Sequence, residues 1–542
     1  MSATPVLVVG GGPVGLTAAL ELAHHGVSTV VVEPRAAVDH SRPRAKTTSA
    51  RSMELFRRTG VADEIRRRAA IPVDWSDEIR FCTTVSGAEI TRLTGTLGLE
   101  LVGSPLTSEA AQQVTQPVVE EALRAVIERE PLVTTLFGRR AVAVELDAVR
   151  PSVTIVDALG DLDVVECEYL IGADGSRSVV REALGARYVG APGGRPNVNI
   201  TFRSTQLAEV LRDRPAVHHW VLNPAAPGVV GPLDLAGNWW AIATGTVAIS
   251  DDAEAVALVR GLIGDDVDVE VIATDPWQAR LLLSNSYGSN RTYLVGDAAH
   301  QNPPWGGHGY NTGIGDAVNL GWKVAAVLQG WAPAALLDSY QAERRPVAEQ
   351  TIGLAASNMR ALSIDLGNAA IMSPGTDGET ARAAAAAVIP VAKRSEFHSL
   401  GLVLGYGYGP DAAAQAPSTD VYRPQVRPGN RLPHARSADG SSLFDLLGRE
   451  FTVLGPAAAA QPLIEAAVER GIPISHADPH MHGFAPVDAE NVVLVRPDQH
   501  IAWCGQPTDQ SNDPLNEQLI HPRTIIESAI RGFPAYPITT NA

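Results

Sequence analysis

Val6 to Glu33 reads VLVVGGGPVGLTAALELAHHGVSTVVVE, and this stretch decides the fold. Four apolar residues, Val6 to Val9, have the length and composition of a buried parallel strand. Gly10, Gly12 and Gly15 follow in G-x-G-x-x-G spacing, with Pro13 and Val14 between the last two. Leu16 to His25 reads as a helix, Gly26 as its stop, and Ser28 to Val32 as a second strand ending at Glu33. Strand, glycine triplet, helix, strand and acid, in that order, predict a dinucleotide-binding unit. Gly10 permits the tight turn, Gly12 lets the backbone approach a pyrophosphate, and Gly15 lets helix and strand pack closely. The helix N-terminus offers that pyrophosphate unpaired N–H groups and a partial positive charge. Glu33 is placed to accept hydrogen bonds from an adenosine ribose. These residues alone leave FAD and NAD(P) both open.

At 542 residues the chain is too long for one core, so two or three domains are expected. Its net charge of −17 argues against a nucleic-acid binder. The cluster Arg66, Arg67, Arg68 reads as a solvated helix face. The three cysteines, Cys82, Cys167 and Cys504, are far apart and form no C-x-x-C, which argues against a disulfide framework or a cysteine-rich metal site. The first strand begins almost at once, with no basic leader, and no apolar run is long enough to span a bilayer. A cytoplasmic protein with no membrane partner is expected.

Pro43 to Val61 starts as a polar loop and becomes a helix. Arg42, Arg44, Lys46 and Arg51 concentrate positive charge just after the nucleotide unit, and Arg44 is the candidate for a cofactor phosphate. Gln116 to Glu128 reads as a helix with Val119, Leu123 and Val126 on one face. Val142 to Val156 and Val164 to Ile171 read as strands. Tyr169 to Arg181, YLIGADGSRSVVR, ends a strand in a turn and enters a helix capped near Ser176 or Ser178. From Gly185 to Tyr287 the β-prone runs predict a mostly antiparallel sheet. Trp239 and Trp240 are assigned to its core, and His218, His219 and Trp220 to a strand on which His219 faces opposite its neighbours. Gly313 to Gln329 reads as a helix. The Gly-, Pro- and Tyr-rich stretch Gly405 to Pro433 reads as a linker before a small α/β unit.

The second informative stretch is Tyr293 to Lys323, YLVGDAAHQNPPWGGHGYNTGIGDAVNLGWK. A strand delivers Gly296 and Asp297, a Pro- and Gly-rich loop follows, and a helix opens near Asn311. Asp297 can bind sugar-like hydroxyls. Gly306, Gly307 and Gly309 keep side chains away from something flat. The N–H groups at Asn311 to Gly313 can meet an anion or a developing negative charge.

Three motifs in order resemble the class A flavoprotein monooxygenases, the p-hydroxybenzoate hydroxylase-like aromatic hydroxylases. They are GGGPVG with Glu33, Asp174-Gly175 in GADGSRSVVR, and Gly296-Asp297 with PPWGGHGYNTGIGDAVNLGWK. Gln116 with Glu120 also fits the family's Q-x-x-x-E helix start. PGNRLPHA (Pro428 to Ala435) and VLVRPDQHIAWCG (Val493 to Gly505) are similar to the thioredoxin-like tail of the phenol hydroxylase subgroup. The resemblance implies an α/β fold in three parts. A Rossmann-like FAD-binding domain with a helical extension takes 1–75, 100–185 and 286–400. A mostly antiparallel substrate domain takes 76–99 and 186–285, and a thioredoxin-like domain takes 410–542.

The resemblance implies one FAD, with NADPH or NADH as reductant and molecular oxygen as co-substrate. By resemblance, Gly10, Gly12, Val14, Gly15 and Glu33 hold the ADP half of FAD, and Pro13 and Arg35 are also among the cofactor-binding residues. Arg44 and Gln116 approach the cofactor, Asp297 binds the ribityl chain, and the backbone from Gly309, Tyr310 and Asn311 to Gly313 meets the flavin ring. Asp174 to Arg177 match the segment associated with both FAD and NAD(P)H, so Asp174 counts among the FAD-binding residues and, with Arg177 and Arg44, among those related to NAD(P)H. The implied reaction hydroxylates a phenolic or polycyclic aromatic molecule through a flavin C4a-hydroperoxide. Baeyer–Villiger or epoxidising oxygen insertion, and a non-catalytic flavoprotein that sequesters an aromatic ligand, are the alternatives.

The chain departs from the commoner family loop at Trp305, His308 and Tyr310. With Pro304 and Trp220, Trp305 and His308 are candidates for a substrate pocket. His308 is the candidate base for a phenol, against the plainer role of hydrogen-bonding the loop backbone. A metal is not expected, and a homodimer is left open.

Overall fold

Strand Thr4–Val9 lies between Leu162–Gly172 and Thr29–Glu33, parallel to both, because its residues are apolar on both faces. The computed structural model describes residues 4–146, 149–361, 368–409, 418–485, 491–507 and 521–533. Thr292–Leu294 and Val133–Phe137 extend the parallel array at its two sides. Leu162–Gly172 also continues into an antiparallel ribbon with Ser152–Val156 and Arg140–Glu145, which completes an eight-stranded mixed sheet. Helix Pro13–His24 packs on this sheet and against helix Gly309–Leu328, burying Leu16, Leu20, Ile314 and Val318 in one core. Both helices begin earlier than the sequence predicts. Pro13 at the first helical position is preorganised for it.

The second eight-stranded sheet runs in the order His300–Gln301, Glu270–Ser284, Tyr188–Arg203, Asn238–Thr244, Gly228–Pro232, His218–Val221, Ile79–Cys82, Glu89–Leu93. All neighbours are antiparallel except His218–Val221 with Ile79–Cys82. Strand alternation sorts its faces. Val198, Ile200, Phe202, Trp239, Ala241 and Ala243 point to one side and bury Val259, Leu262 and Ile263 of helix Asp252–Ile263. That helix lies in a region expected to be β-rich. Its signals were present in the chain: Asp251 accepts the Glu254 N–H at 2.9 Å, and Gly264 ends it in the left-handed region.

Helix Gly375–Ala392 and the short turn Arg394–Phe397 pack on the outer strands through Ile389 and Phe397 against Ile79 and Phe81. A third sheet, ordered Ile474–Ala477, Phe451–Leu454, Val492–Val495, Ile501–Gly505, carries helices Ala457–Glu469 and Pro522–Ala529. It shares a core with Trp322 and Trp331, whose rings stack at 6.4 Å beside Phe451.

The stretch expected to be a linker is not free chain. Tyr408 is buried and stacks on His500 at 4.2 Å, and Arg431 is buried against Glu54. Residues 410–417 of that stretch lie outside the described residues. Arg51, counted in the positive loop, is also buried: it donates to the Asp498 carbonyl at 2.8 Å and faces Glu54. The Arg66–Arg68 cluster is ion-paired, Arg66 to Glu109 and the other two to Glu64. Among the described residues, no helix is long and apolar enough to cross a membrane.

Candidate functional site

The glycine loop takes the shape its spacing requires. Gly10 has φ +108°, and a Cβ on Gly15 would sit 1.9 Å from the Gly10 carbonyl oxygen. Gly12 has open space where its side chain would be. Val14 wedges between Gly296 and Gly313, where added Cβ atoms would lie 3.1 and 2.7 Å from its methyls, so the first and third motifs touch directly. Glu33 is buried at its strand end and accepts the Gly11 N–H at 2.7 Å and the Arg35 side-chain N–H at 2.7 Å. Arg35 reaches on to Glu120 at 3.1 Å, and Gln116 donates to the same carboxylate at 3.1 Å.

Asp297 opens into the cleft, and its carboxylate has no ion-pair partner among the described residues. The protein around it raises this carboxyl above its ordinary value, with His300 and Arg44 pulling the other way. Helix Gly309–Leu328 points its first turn at the same cleft, and no side chain caps it. Asn311 fixes that turn. It accepts from the Ser49 N–H at 2.9 Å and the Ser52 hydroxyl at 2.7 Å, and it donates to the carbonyls of Thr47 at 3.1 Å and Gly307 at 2.7 Å.

Behind the turn, buried Asp316 accepts from the Gly296 N–H at 3.2 Å and from Arg344 at 2.8 Å, and it faces His300 at 2.8 Å. Arg344 also holds the Thr312 carbonyl at 2.9 Å and the Tyr408 hydroxyl at 3.2 Å. Asp316, His300 and Arg344 thus brace both cofactor-facing elements. Sequence reading did not find them, because an acid and an arginine inside helices and a histidine on a two-residue strand carry no local signal.

Asp174 and Arg177 lie off this cleft. Asp174 accepts the Val180 N–H at 3.2 Å, while its other oxygen is buried without a partner, and burial raises its carboxyl. Arg177 is exposed.

A single cavity of about 470 Å³ runs from Arg44, Gln116, Asp297 and Gly309 to a wall of aromatic rings. The wall uses the sheet face opposite helix Asp252–Ile263. Trp220, Trp240 and Trp277 project from it, Trp305 closes one side from the loop, and Phe397 closes the other. Trp305 lies 6.2 Å from Trp277, centroid to centroid. Pro304 and Tyr310 line the same space, and the Tyr310 hydroxyl pairs with Thr48.

Two expectations change here. Trp240, assigned to the core, lines the cavity, because alternation turns Trp239 to the helix and Trp240 away from it. His308 leaves the pocket. The helix begins at Gly309, so His308 occupies the capping position and its ring packs against Gly306. It lines a separate cavity of about 40 Å³ with Arg344 and Tyr406, and burial pushes its imidazole down to about 4. The imidazole considered as a base for a phenol thus faces this smaller cavity rather than the ring-lined one.

The nucleotide end fits FAD on the chain's own features: an open Gly12, an acid at the second strand end, an unpaired Asp297, and an uncapped helix N-terminus aimed at the same cleft. Among the described residues, no group of His, Cys, Asp and Glu could hold a metal ion.

A family model described as "FAD binding domain" matches residues 3–355, and one described as "Aromatic-ring hydroxylase, C-terminal" matches residues 425–521. The chain is 33% identical to a 4-methyl-5-nitrocatechol 5-monooxygenase of a Burkholderia species, over 94% of this chain and 95% of the relative. It superposes on the rebeccamycin biosynthetic enzyme RebC with reduced flavin at a TM-score of 0.85 and 31% identity, covering 97% of this chain and 99% of that one. It also superposes on the flavin-dependent monooxygenase PieE in complex with FAD and substrate, at a TM-score of 0.84 and 30% identity, covering 98% and 99%.

Proposed function

This chain belongs to the class A flavin-dependent aromatic monooxygenases, and from that premise we propose that it hydroxylates a phenolic or polycyclic aromatic small molecule at the ring-lined end of its cavity. It is an FAD-dependent enzyme that draws electrons from NADPH or NADH. The observation that carries the proposal is the continuity of the cavity. The space beside Asp297 and the Gly309 helix turn opens directly onto Trp220, Trp240, Trp277, Trp305 and Phe397.

FAD, when bound, supplies the electron and oxygen transfer. The chain supplies position, field and shelter. Glu33 would hold the adenosine ribose, and Gly12 would admit the pyrophosphate to the N-terminus of helix Pro13–His24. Asp297 would hold the ribityl hydroxyls, with Arg44 and Gln116 beside them. The N–H groups at the start of helix Gly309–Leu328 would stabilise negative charge on the ring edge that they face. Asn311 and Asp316 keep that turn and the Gly296 loop in register. The aromatic wall holds a flat substrate and excludes water. Arg44, Asp174 and Arg177 are the assigned contacts of the nicotinamide nucleotide. The C-terminal sheet, with strands in the order Ile474–Ala477, Phe451–Leu454, Val492–Val495, Ile501–Gly505 and two helices, supports a thioredoxin-like unit without dithiol chemistry, since Cys504 is the one cysteine in that part of the sequence.

The test is turnover of a panel of phenols and fused-ring aromatics by the FAD-loaded protein with NADPH or NADH under isotope-labelled O2. One labelled oxygen on a ring carbon is expected. An inserted ester oxygen would give the Baeyer–Villiger outcome, and tight binding without aromatic-stimulated nicotinamide oxidation would give a sequestering protein.

A further inference from the structure

The chain contains only three lysines, Lys46, Lys323 and Lys393, among 43 basic residues. Lys323 is buried on Glu343 at 2.8 Å, and Lys393 on Glu396 at 2.5 Å. Lys46 is different. It is half-buried in the cavity wall, its ammonium sits 4.2 Å from the centroid of the Trp240 ring, and no carboxylate among the described residues pairs with it.

The carboxylates that line the cavity are committed elsewhere. Glu396 answers Lys393, and Asp297 lies toward the nucleotide end, where Arg44 and His300 act on it. Beside Lys46, His218 stands edge-on to Trp240 at 5.1 Å, with its buried Nδ1 lacking a partner. Burial, with Lys46 next to it, pushes this imidazole down to about 3, so it brings no second charge at neutral pH. Burial lowers Lys46 only to about 8, which leaves the ammonium mostly charged.

An unpaired cation inside an aromatic cavity is costly unless a ligand completes it. The molecule as a whole carries −17 and repels anions at long range, so an anionic ligand needs a local cation to hold it. We propose that Lys46 is a specificity-determining residue that binds a carboxylate on the aromatic substrate of this enzyme. The substrate's ring then stacks among Trp220, Trp240 and Phe397 while its charged oxygen meets the ammonium and the His218 edge. This inference rests on the monooxygenase reading and adds to it the charge of the substrate and the residue that reads it.

The experiment compares the FAD-loaded protein with its Lys46→Met and Lys46→Arg variants. The probes are hydroxynaphthoate, its methyl ester, naphthoate and naphthol, followed by perturbation of the flavin spectrum. The wild type is expected to bind hydroxynaphthoate about tenfold more tightly than the ester, the scale of one charge-assisted contact. Lys46→Met should erase that preference by weakening the acid and not the ester, and Lys46→Arg should restore most of it. Naphthoate should weaken together with hydroxynaphthoate in the Met variant, while naphthol, which carries no carboxylate, should not. Equal binding of acid and ester by the wild type, no binding of any probe, an equal fall for both in Lys46→Met, or loss of FAD from that variant would each overturn the proposal. The monooxygenase reading fails on a separate measurement, the absence of aromatic-stimulated nicotinamide oxidation.

Discussion

At the nucleotide end of the cavity the backbone makes most of the surface: Gly10, Gly12 and Gly15, the exposed N–H groups of two helix starts, and one acid on each of two strand ends. At the ring-lined end the surface is side chains, with Trp220, Trp240 and Trp277 on three strands, Trp305 on a loop and Phe397 beyond a helix. The difference is one of tolerance. A backbone cradle has no alternative rotamers, so a single added methyl can destroy it. A wall of rings can lose one member and still exclude water from most of its area. Cofactor binding is therefore the brittle property of this molecule, and substrate choice the adjustable one.

The largest effect is expected at the brace behind the cradle. Asp316→Ala leaves the buried Arg344 guanidinium without its acid and frees the Gly296 N–H, at a cost of about 3–5 kcal/mol read by denaturant unfolding, with FAD lost as well. Burial opposes ionisation of Asp316, but Arg344 and His300 outweigh it and hold the carboxyl below its ordinary 3.8. A depressed carboxylate contributes its stability above the unfolded value. The advantage of wild type over the variant should thus shrink on acidification below about pH 4, and the part that comes from His300, whose imidazole Asp316 raises, should fade as pH rises through that raised value. A constant difference across that range would separate Asp316 from the brace.

Gly15→Ala comes next. Its methyl would meet the Gly10 carbonyl at 1.9 Å, and FAD affinity should fall about a hundredfold, roughly 3 kcal/mol, in a flavin fluorescence titration. Trp305→Ala sharpens the contrast. It should raise KM for a fused-ring substrate about tenfold while flavin occupancy stays full, since its ring touches the wall and not the cradle. Loss of flavin from this variant would break the distinction between the two ends. His308→Gln should change kcat/KM by less than about twofold, because the imidazole lies in the small cavity behind the loop.

Sequence exposed the cradle because glycine spacing encodes backbone geometry residue by residue. The ring wall was legible only in part. Alternation correctly set His219 opposite His218 and Trp220, but Trp239 and Trp240 are equally apolar. Which of them faces the cavity is decided by helix Asp252–Ile263, which was itself missed. From sequence His308 reads as part of a loop lining the pocket, but the helix starts at Gly309, so His308 caps it and its ring turns to the space behind the loop. The brace and the buried pairing of Arg431 with Glu54 join residues far apart in the chain, and no local pattern records such contacts.

Arg496 holds Glu343 through both guanidinium nitrogens, at 2.9 and 2.7 Å, and takes Asp498 on its other side. A chimera that crosses from this chain to a relative anywhere between 344 and 495 would inherit the acid from one parent and the base from the other. Recombination inside that window preserves the molecule only where both parents keep the same pair, so the C-terminal sheet travels with its own helix and cannot be exchanged as a free module.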